Sequence, residues 1–569
     1  MGTAEERYQR LSTTLRAVLR TEPDVRSFSS AYEHPGTRDV GVGAFWAAVG
    51  VCTLGVAAFL LARLHAWPPH EDETLALFVG RNSLSDLLGT VHGDRGGAPL
   101  HFLAAWTIVK LDGGLTALRL VSAVAAVVSV PVVAALLSRL AGRTAALVGT
   151  VLVAASWMLL FHGVYARMYS LFLLCSAVSY VALLVVLQRG GALRWALWGL
   201  SAVATVAVHP YGALVLASQG LYVLATRARV REAVVAFAVV ALVGAPFWYA
   251  DLVLASRFEV GLGGGGAKLS SPIDVLDYLF RTAGDFSAGY LLALLAVLAL
   301  AVVGFRRLWI DNPHSAWLGG LVFAVPAVAL TAARLGHAAS PESRHLIFAL
   351  PFFGLVVAVG LLELGEWRPD LRRSLPAAAL AALVAAQVAW AWDKTPALFE
   401  GEPTSRVAAR KAASAWLAQS ARPDDVFFGY DPLHLGAWER NERVSRIVVP
   451  RADPKLALET LLDEKRPLGR GVWVFDASDT NNFDPRLTIE LRLPRPPSAF
   501  EARTYGPFLV IRSRRPTETP RTYLELSAQA MRTGKSLLIG DADINAVTVT
   551  RATARLDGYE ARSLSTSSR

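Results

Sequence analysis

The sequence predicts a mainly α protein, a polytopic transmembrane helix bundle of about eleven spans, with interfacial helices and a C-terminal α/β domain outside the membrane. Three observations predict it. The chain of 569 residues is 53% hydrophobic and only 18% charged, whereas soluble domains carry about a quarter charged residues. Its apolar residues fall in long runs instead of being scattered. From about residue 393 these runs stop, and short strand-like and helical pieces take their place.

Composition excludes several classes. The formal net charge of +10 is accounted for by loop arginines on one membrane face, so no nucleic-acid partner is expected. Cys52 and Cys175 both lie inside apolar runs, which argues against a disulfide framework or a thiolate metal site. Residues 1–40 read as a polar cytoplasmic tail. They precede the first apolar run, so no cleavable signal peptide is expected.

Apolar segments follow near 42–64, 115–138, 144–162, 168–187, 195–208, 211–226, 233–253, 289–305, 316–334, 345–364 and 374–392. A span needs roughly 17–25 residues, so 195–208 and 211–226 must borrow from their flanks or tilt. Basic clusters at Arg139/Arg143, Arg189/Arg194, Arg227/Arg229/Arg231, Arg306/Arg307 and Arg368/Arg372/Arg373 mark the cytoplasmic side. Loops 67–114, 163–167, 209–211, 254–288 and 335–344 then lie outside. This holds only if the apolar piece 99–111 does not cross and is a second interfacial helix. A multi-pass protein of the plasma membrane follows, with its N-terminus inside and 393–569 outside. Only His34 and His314 of the eleven histidines fall on the inner side, so the outer face carries the polar chemistry.

The divisions expected are a tail, 1–40; a membrane domain, 41–392, with a catalytic outer loop at 65–114; an extracytoplasmic α/β domain, 393–550; and a disordered tail, 551–569. The α/β domain shows an amphipathic helix at 405–419, strands at 426–430, 446–450, 471–475 and 507–511, and a helix at 454–464. Within the outer loop, 74–89 places Leu77, Phe78, Leu84, Leu87 and Leu88 on one face, the pattern of a helix at a membrane surface.

The chemistry concentrates in that loop. Asp72 and Glu73 offer a carboxylate near the membrane boundary that can act as general base; acidic residues also favour a first helical turn, and that bland role has slightly the better odds on spacing alone. Arg119, Arg167 and Arg344 lie at outer ends of spans, where guanidinium forks suit a lipid phosphate, although single arginines there also snorkel to headgroups. Tyr165, Tyr169, His209 and Tyr211 sit at the same level, where an aromatic belt explains the tyrosines. The His209-Pro210-Tyr211 turn is less routine. Two glycine-containing stretches are not phosphate loops: 261–268 lacks the Gly-Lys-Ser/Thr ending, and Gly534-Lys535-Ser536 has Gln529 where the first glycine belongs.

Taken together, these residues resemble the GT-C superfamily of polytopic glycosyltransferases, in the branch of protein O-mannosyltransferases and the aminoarabinose transferase of lipid A. The matching pieces are Asp72-Glu73, Pro99-Leu100, Ala117-Leu118-Arg119-Leu120, Ala166-Arg167-Met168-Tyr169-Ser170, the His-Pro-Tyr turn, and Arg344-His345-Leu346 leading to Pro351. They cover roughly 40–365. The family's His-Pro-Pro-Leu is replaced here by Gly97-Ala98-Pro99-Leu100, with His92 and His101 as the histidines that could stand in.

The resemblance implies transfer of a sugar, with inversion, from a polyprenyl-phosphate donor to a glycan, lipid or protein acceptor hydroxyl on the outer face. Asp72 would take the acceptor proton, with Glu73 orienting it or substituting. Arg119, Arg167 and Arg344 would hold the lipid phosphate, and His92, His101, Tyr169, His209, Tyr211 and His345 would contribute further contacts. Arginines can neutralise a lipid monophosphate, so no cofactor is required and no metal is expected, though a divalent cation would be compatible. Loop 254–288 would close over the acceptor. The rival is a transporter or flippase for lipid-linked sugars, which would share the spans and outer arginines but has no need of a paired base; repeated halves with broken helices, common in transporters, are not evident. A structural or sensory role would explain 393–569 and leave the loop chemistry unused.

Overall fold

The computed structural model describes residues 39–257, 271–287, 291–333, 342–367, 374–396, 404–477, 498–537 and 540–567, apart from 442, 446 and 452. The N-terminal tail with His34, the stretch 261–268, His337 and the Arg368/Arg372/Arg373 cluster lie outside the described residues.

The membrane part opens with α1 (Val42–Arg63), followed by three helices shorter than a membrane span: α2 (Glu71–Gly80), α3 (Leu84–Gly89) and α4 (Pro99–Lys110), with a π-helical turn at Thr90–Arg95. The expected single helix over 74–89 is thus divided at Arg81-Asn82-Ser83, where Ser83 caps α3 by accepting a hydrogen bond from Asp86 N. Next come α5 (Leu115–Ala155), α6 (Trp157–Val164), α7 (Tyr169–Arg189), α8 (Ala192–Val208), α9 (Gly212–Thr226), α10 (Val230–Val243), α11 (Ala245–Arg257) and α12 (Pro272–Phe286). The bundle is completed by α13 (Leu291–Asp311), α14 (Pro313–Ala333), a 3-10 turn at Ser343–Ala349 running into α15 (Leu350–Trp367), and α16 (Ser374–Asp393).

Seven described helices are long and apolar enough to cross a membrane, or eight when α10 and α11, bent by 60°, count as one span. Helix α5 is itself two helices joined at a kink, because Ala141 and Gly142 leave the helical region and Gly142 takes φ 73°. With those halves and the short apolar helices α8 and α9, each of the eleven apolar segments of the sequence is mainly helical over its described residues. The short helices bury satisfied polar groups: Trp198 Nε1 donates to Gln219 Oε1 at 2.9 Å, and Gln219 Nε2 donates to Ser179 Oγ at 2.8 Å. Where α13 meets α15, Gly304 and Gly360 permit backbone contact, since a Cβ on either would lie 1.8 Å or 2.1 Å from the opposing Val356 or Leu300 carbonyl oxygen.

The C-terminal domain adds α17 (Thr404–Ser420), β1 (Val426–Phe428), α18 (Pro432–Arg440), β2 (Ile447–Val449), α19 (Pro454–Asp463), β3 (Gly471–Asp476), β4 (Phe500–Tyr505), β5 (Phe508–Ser513), α20 (Pro520–Ser536) and α21 (Gly540–Ser567). The sheet order is β2-β1-β3-β5-β4, parallel across the first three strands and antiparallel across the rest. Alternation along the strands sends Phe427, Val472, Val474 and Val510 to one core and Val426, Phe428, Trp473 and Phe475 to another. The first core is shared with α2 and α4 of the membrane part, so this domain and the loop 65–114 occupy the same face. Strand β4 has no counterpart in the sequence reading. The tail expected to be disordered from 551 instead continues α21 to Ser567. Val549, Ala552 and Leu556, spaced three and four apart, pack that helix into the second core, a stripe too sparse to raise the segment's overall hydrophobicity.

Candidate functional site

The site is built on the first turn of α2. His70 caps this helix: its Nδ1 accepts from Asp72 N at 3.2 Å, while Glu73 Oε2 accepts from His70 N at 3.0 Å. This is a capping box with histidine in place of the usual Ser or Thr. Glu73, fully buried, also accepts from Arg119 Nε at 2.9 Å, Arg119 Nη2 at 2.8 Å and Ala166 N at 3.1 Å. The remaining Arg119 donors go to the carbonyls of Leu64 at 2.9 Å, Trp67 at 3.1 Å and Pro68 at 3.3 Å. Arg119 is therefore not available to a lipid phosphate, contrary to the sequence expectation. All of its guanidinium donors are spent on holding α1's exit, α2 and the 165–167 turn together. Glu73 is likewise too fully engaged to replace Asp72 as a base.

Because His70 and Glu73 form the cap, Asp72 is left for other contacts, and 34% of its side chain stays exposed. Its Oδ1 lies 2.7 Å from Arg167 Nη1, and its Oδ2 accepts from Tyr165 OH at 3.0 Å. The same hydroxyl is 2.9 Å from His70 Nδ1. Burial pushes the Asp72 carboxyl up, but Arg167, His70, Arg344 and the Tyr165 hydrogen bond outweigh it and hold it well below the usual carboxylate range. Burial and the Asp72 charge drive the Tyr165 phenol well above its ordinary value, so it remains a donor.

Arg167 and Arg344 converge on Tyr169. Their Cζ atoms stand 5.8 Å and 5.2 Å from the centroid of its buried ring. Arg344 also pairs with Glu342 Oε1 at 2.6 Å, and His345 Nδ1 accepts from Glu342 N at 3.1 Å, fixing the 3-10 turn. His162, His209 and His345 surround the same ring at 4.9, 5.8 and 5.9 Å between centroids. In the His209-Pro210-Tyr211 turn, His209 Nδ1 accepts from Tyr211 N at 3.1 Å, and the Tyr211 ring meets His345 edge-on at 5.3 Å. Burial, then Arg167 and Arg344, lower His209 to about 3, so it is neutral. The Nε atoms of Arg167 and Arg344 are buried without a hydrogen-bond partner among the described residues. Unsatisfied buried donors of this kind are costly unless something binds them.

Other expected residues are placed differently. His92 sits on the π-helical turn with Nδ1 3.0 Å from the Leu88 carbonyl oxygen. His101 is buried in the first turn of α4, edge-on to Phe102. Neither takes part in the ring contacts around Tyr169 described above. The sequence reading gave no part to His70 beyond its place among the outer histidines, although His70 followed three residues later by Glu73 is a capping-box spacing. It also gave no hint of Arg451, whose Nε lies 3.0 Å from both Glu71 carboxylate oxygens. Glu71, Asp72 and Glu73 thus each meet a different arginine. Among the described residues, no group of three or more His, Cys, Asp or Glu side chains is arranged to hold a metal ion.

No protein-family model matches the chain, and no characterised protein matches it in a sequence comparison. Solved structures do. ArnT from Cupriavidus metallidurans bound to undecaprenyl phosphate aligns with a TM-score of 0.50 at 13% identity, over 83% of this chain and 98% of that one. Its apo state gives 0.50 at 14% identity, over 82% and 98%. The Archaeoglobus fulgidus oligosaccharyltransferase in complex with zinc and sulfate gives 0.48 at 12% identity, over 76% of this chain and 68% of that one. The likeness to ArnT shows that this chain, a polytopic helix bundle followed by an α/β domain, has a GT-C-like fold.

Proposed function

We propose that this protein is a membrane glycosyltransferase that moves a sugar from a polyprenyl-phosphate donor to an acceptor hydroxyl on the extracytoplasmic face, with inversion at the anomeric carbon. One observation carries the reading: Arg167 and Arg344 both lie against the ring of Tyr169, each with a buried Nε that has no hydrogen-bond partner among the described residues, beside the partly exposed Asp72 carboxylate. Two guanidinium groups suit a lipid monophosphate. ArnT, whose fold this chain shares, has been solved bound to undecaprenyl phosphate. The acceptor is a hydroxyl of a glycan, lipid or protein.

In the reaction the acceptor oxygen attacks the anomeric carbon, the bond from that carbon to the phosphate oxygen breaks, and the acceptor proton passes to Asp72. Arg167 and Arg344 take up the charge that grows on the leaving lipid phosphate. The two roles are coupled. In the free site Arg167 depresses the basicity of Asp72. A phosphate lying on Arg167 and Arg344 offsets that positive charge, so Asp72 becomes the stronger base only when donor is bound. Neutral His209, with Tyr211 and His345, lines the same ring cluster and suits contacts to sugar hydroxyls.

The test is transfer from radiolabelled polyprenyl-phosphate hexose or pentose donors by purified protein in lipid, with membrane extract as acceptor. Wild type should transfer, and Asp72→Asn should lose on the order of 10²–10⁴ in rate, the usual worth of a general base, while still binding donor. Carrier movement across vesicles with no transfer from any donor would overturn the proposal.

A further inference from the structure

In an open α/β sheet, ligands bind outside the carboxyl ends of the parallel strands, where the strand order reverses. Here that point lies between β1 and β3, because the chain runs from β1 outward to β2 and then back across to β3. The residues at these strand ends are Tyr430 and Asp431 after β1, Arg451 after β2 and Asp476 closing β3. Helix α2 of the same chain meets this edge. Arg451 straddles the Glu71 carboxylate, with Nε 3.0 Å from each oxygen and Nη2 also in contact with Oε2. Thr74 Oγ1 donates to the Tyr430 carbonyl at 2.5 Å. One turn further along, Phe78 packs against Tyr430 and Trp438, with ring centroids 6.0 Å and 6.1 Å away. Arg81 lies over Trp438 at 3.5 Å. Arg451 is itself held from behind, since Thr548 of α21 donates to its carbonyl at 2.7 Å.

We infer that the C-terminal domain uses its sheet edge to grip α2, and that Arg451 is a positioning residue for Asp72. The inference rests on the proposed transferase reading for its consequence, though not for its geometry. Glu71 is the residue immediately before Asp72, on the first turn of a helix only ten residues long. A bidentate arginine is directional, so pairing Glu71 with Arg451 fixes the rotation of that turn about its axis. That rotation sets where the Asp72 carboxylate stands relative to Arg167 and Tyr165. The membrane part alone fixes α2 through Glu73, on the opposite side of Asp72 in the chain. The C-terminal domain supplies the second anchor, and the base sits between the two.

Two measurements on the full-length protein in lipid test this. The first is hydrogen exchange, which needs no substrate. Arg451→Ala should speed amide exchange in residues 71–80 by about tenfold or more while strands β1, β3 and β5 keep their protection. Equal exchange in 71–80 overturns the inference, whatever the enzyme's activity. The second is transfer kinetics. Arg451→Ala should lower kcat at least tenfold with donor KM within twofold, and the exchanged pair Glu71→Arg with Arg451→Glu should recover part of that loss. Arg521→Ala, which breaks an ion pair with Asp557 and Glu560 elsewhere in the domain, should leave kcat unchanged. A kcat for Arg451→Ala within twofold of wild type, or a folded exchanged pair no better than the single variant, overturns the positioning role. A wild type without transfer would overturn the transferase reading and leave the exchange result to decide the grip.

Discussion

Arg167 Nη1 lies 2.7 Å from Asp72 Oδ1, so the candidate base and a candidate phosphate ligand are each other's ion-pair partner. A carboxylate held by a cation is ionised at almost any working pH, but it is a reluctant proton acceptor. In the proposed reaction the donor phosphate would compete with Asp72 for Arg167.

This pairing predicts a pH profile. The folded-state value of Asp72 is depressed, with burial opposing and Arg167, His70 and Arg344 prevailing. The stabilisation of its charged form is therefore present above the unfolded value of about 3.9. It is lost only as pH falls through the still lower folded value. Wild-type kcat/KM, which reports the free enzyme, should show no Asp72 limb from pH 5 upward. In Arg167→Ala the burial remains and its largest counterweight is gone, so an acid limb should move up toward neutrality. Identical acid limbs in the two enzymes would show that Asp72 does not titrate in the reaction.

Arg119 and Glu73 make a different prediction because both are buried and mutually satisfied. Removing one member leaves the other charge uncompensated, which costs about 3–5 kcal/mol. Arg119→Ala should lower the thermal unfolding midpoint markedly, whereas donor affinity per folded molecule should stay near wild type. A variant with normal stability and weakened donor binding would instead restore Arg119 to the phosphate.

Arg344 should behave in the opposite way. It is paired with the partly exposed Glu342 and set over Tyr169, so its loss leaves no fully buried partner charge stranded. Hydrogen bonds to charged groups contribute about 1.5–3 kcal/mol. Arg344→Ala should then weaken donor binding roughly tenfold to a hundredfold at the usual 1.4 kcal/mol per decade. Displacement of a labelled polyprenyl phosphate measures this directly, and an unchanged affinity would remove Arg344 from the site.

Much of this was legible in the sequence, for physical reasons that also explain what was not. The spans were readable because a membrane core imposes length and apolarity on every crossing. Asp72, Arg167, Tyr169, His209 and Arg344 could be singled out because polar groups at that boundary need a reason to be there. What one residue looks like at the end of a span does not reveal its partner, however. Arg119 and Arg167 carry the same signal, and only the fold shows that the first is enclosed by Glu73 and three carbonyls while the second faces Asp72. Arg451 lies 380 residues from Glu71, a separation at which no local pattern survives. The apolar face of α2 was read as lying at a membrane surface for the same reason: Phe78 needs cover, and sequence cannot say that Tyr430 and Trp438 supply it.

The basic loops predict the orientation of the whole assembly, and single cysteines test it. Arg139, Arg143, Arg189, Arg194 and Arg227 cluster at one set of helix ends, while α2, α4 and the C-terminal domain share the other face. The positive-inside rule assigns the first set to the cytoplasm. Gly93→Cys is a clean reporter, because a Cβ added there meets nothing within 4 Å. Lys465→Cys reports on an exposed position of the C-terminal domain. Both should react with an impermeant maleimide in intact cells, and Arg227→Cys should react only after the membrane is opened. Native Cys52 and Cys175, only partly exposed within α1 and α7, can be replaced to remove background. Labelling of Arg227→Cys alone in intact cells would invert the topology and place Asp72 on the cytoplasmic side, where a different pool of donors and acceptors would have to be sought.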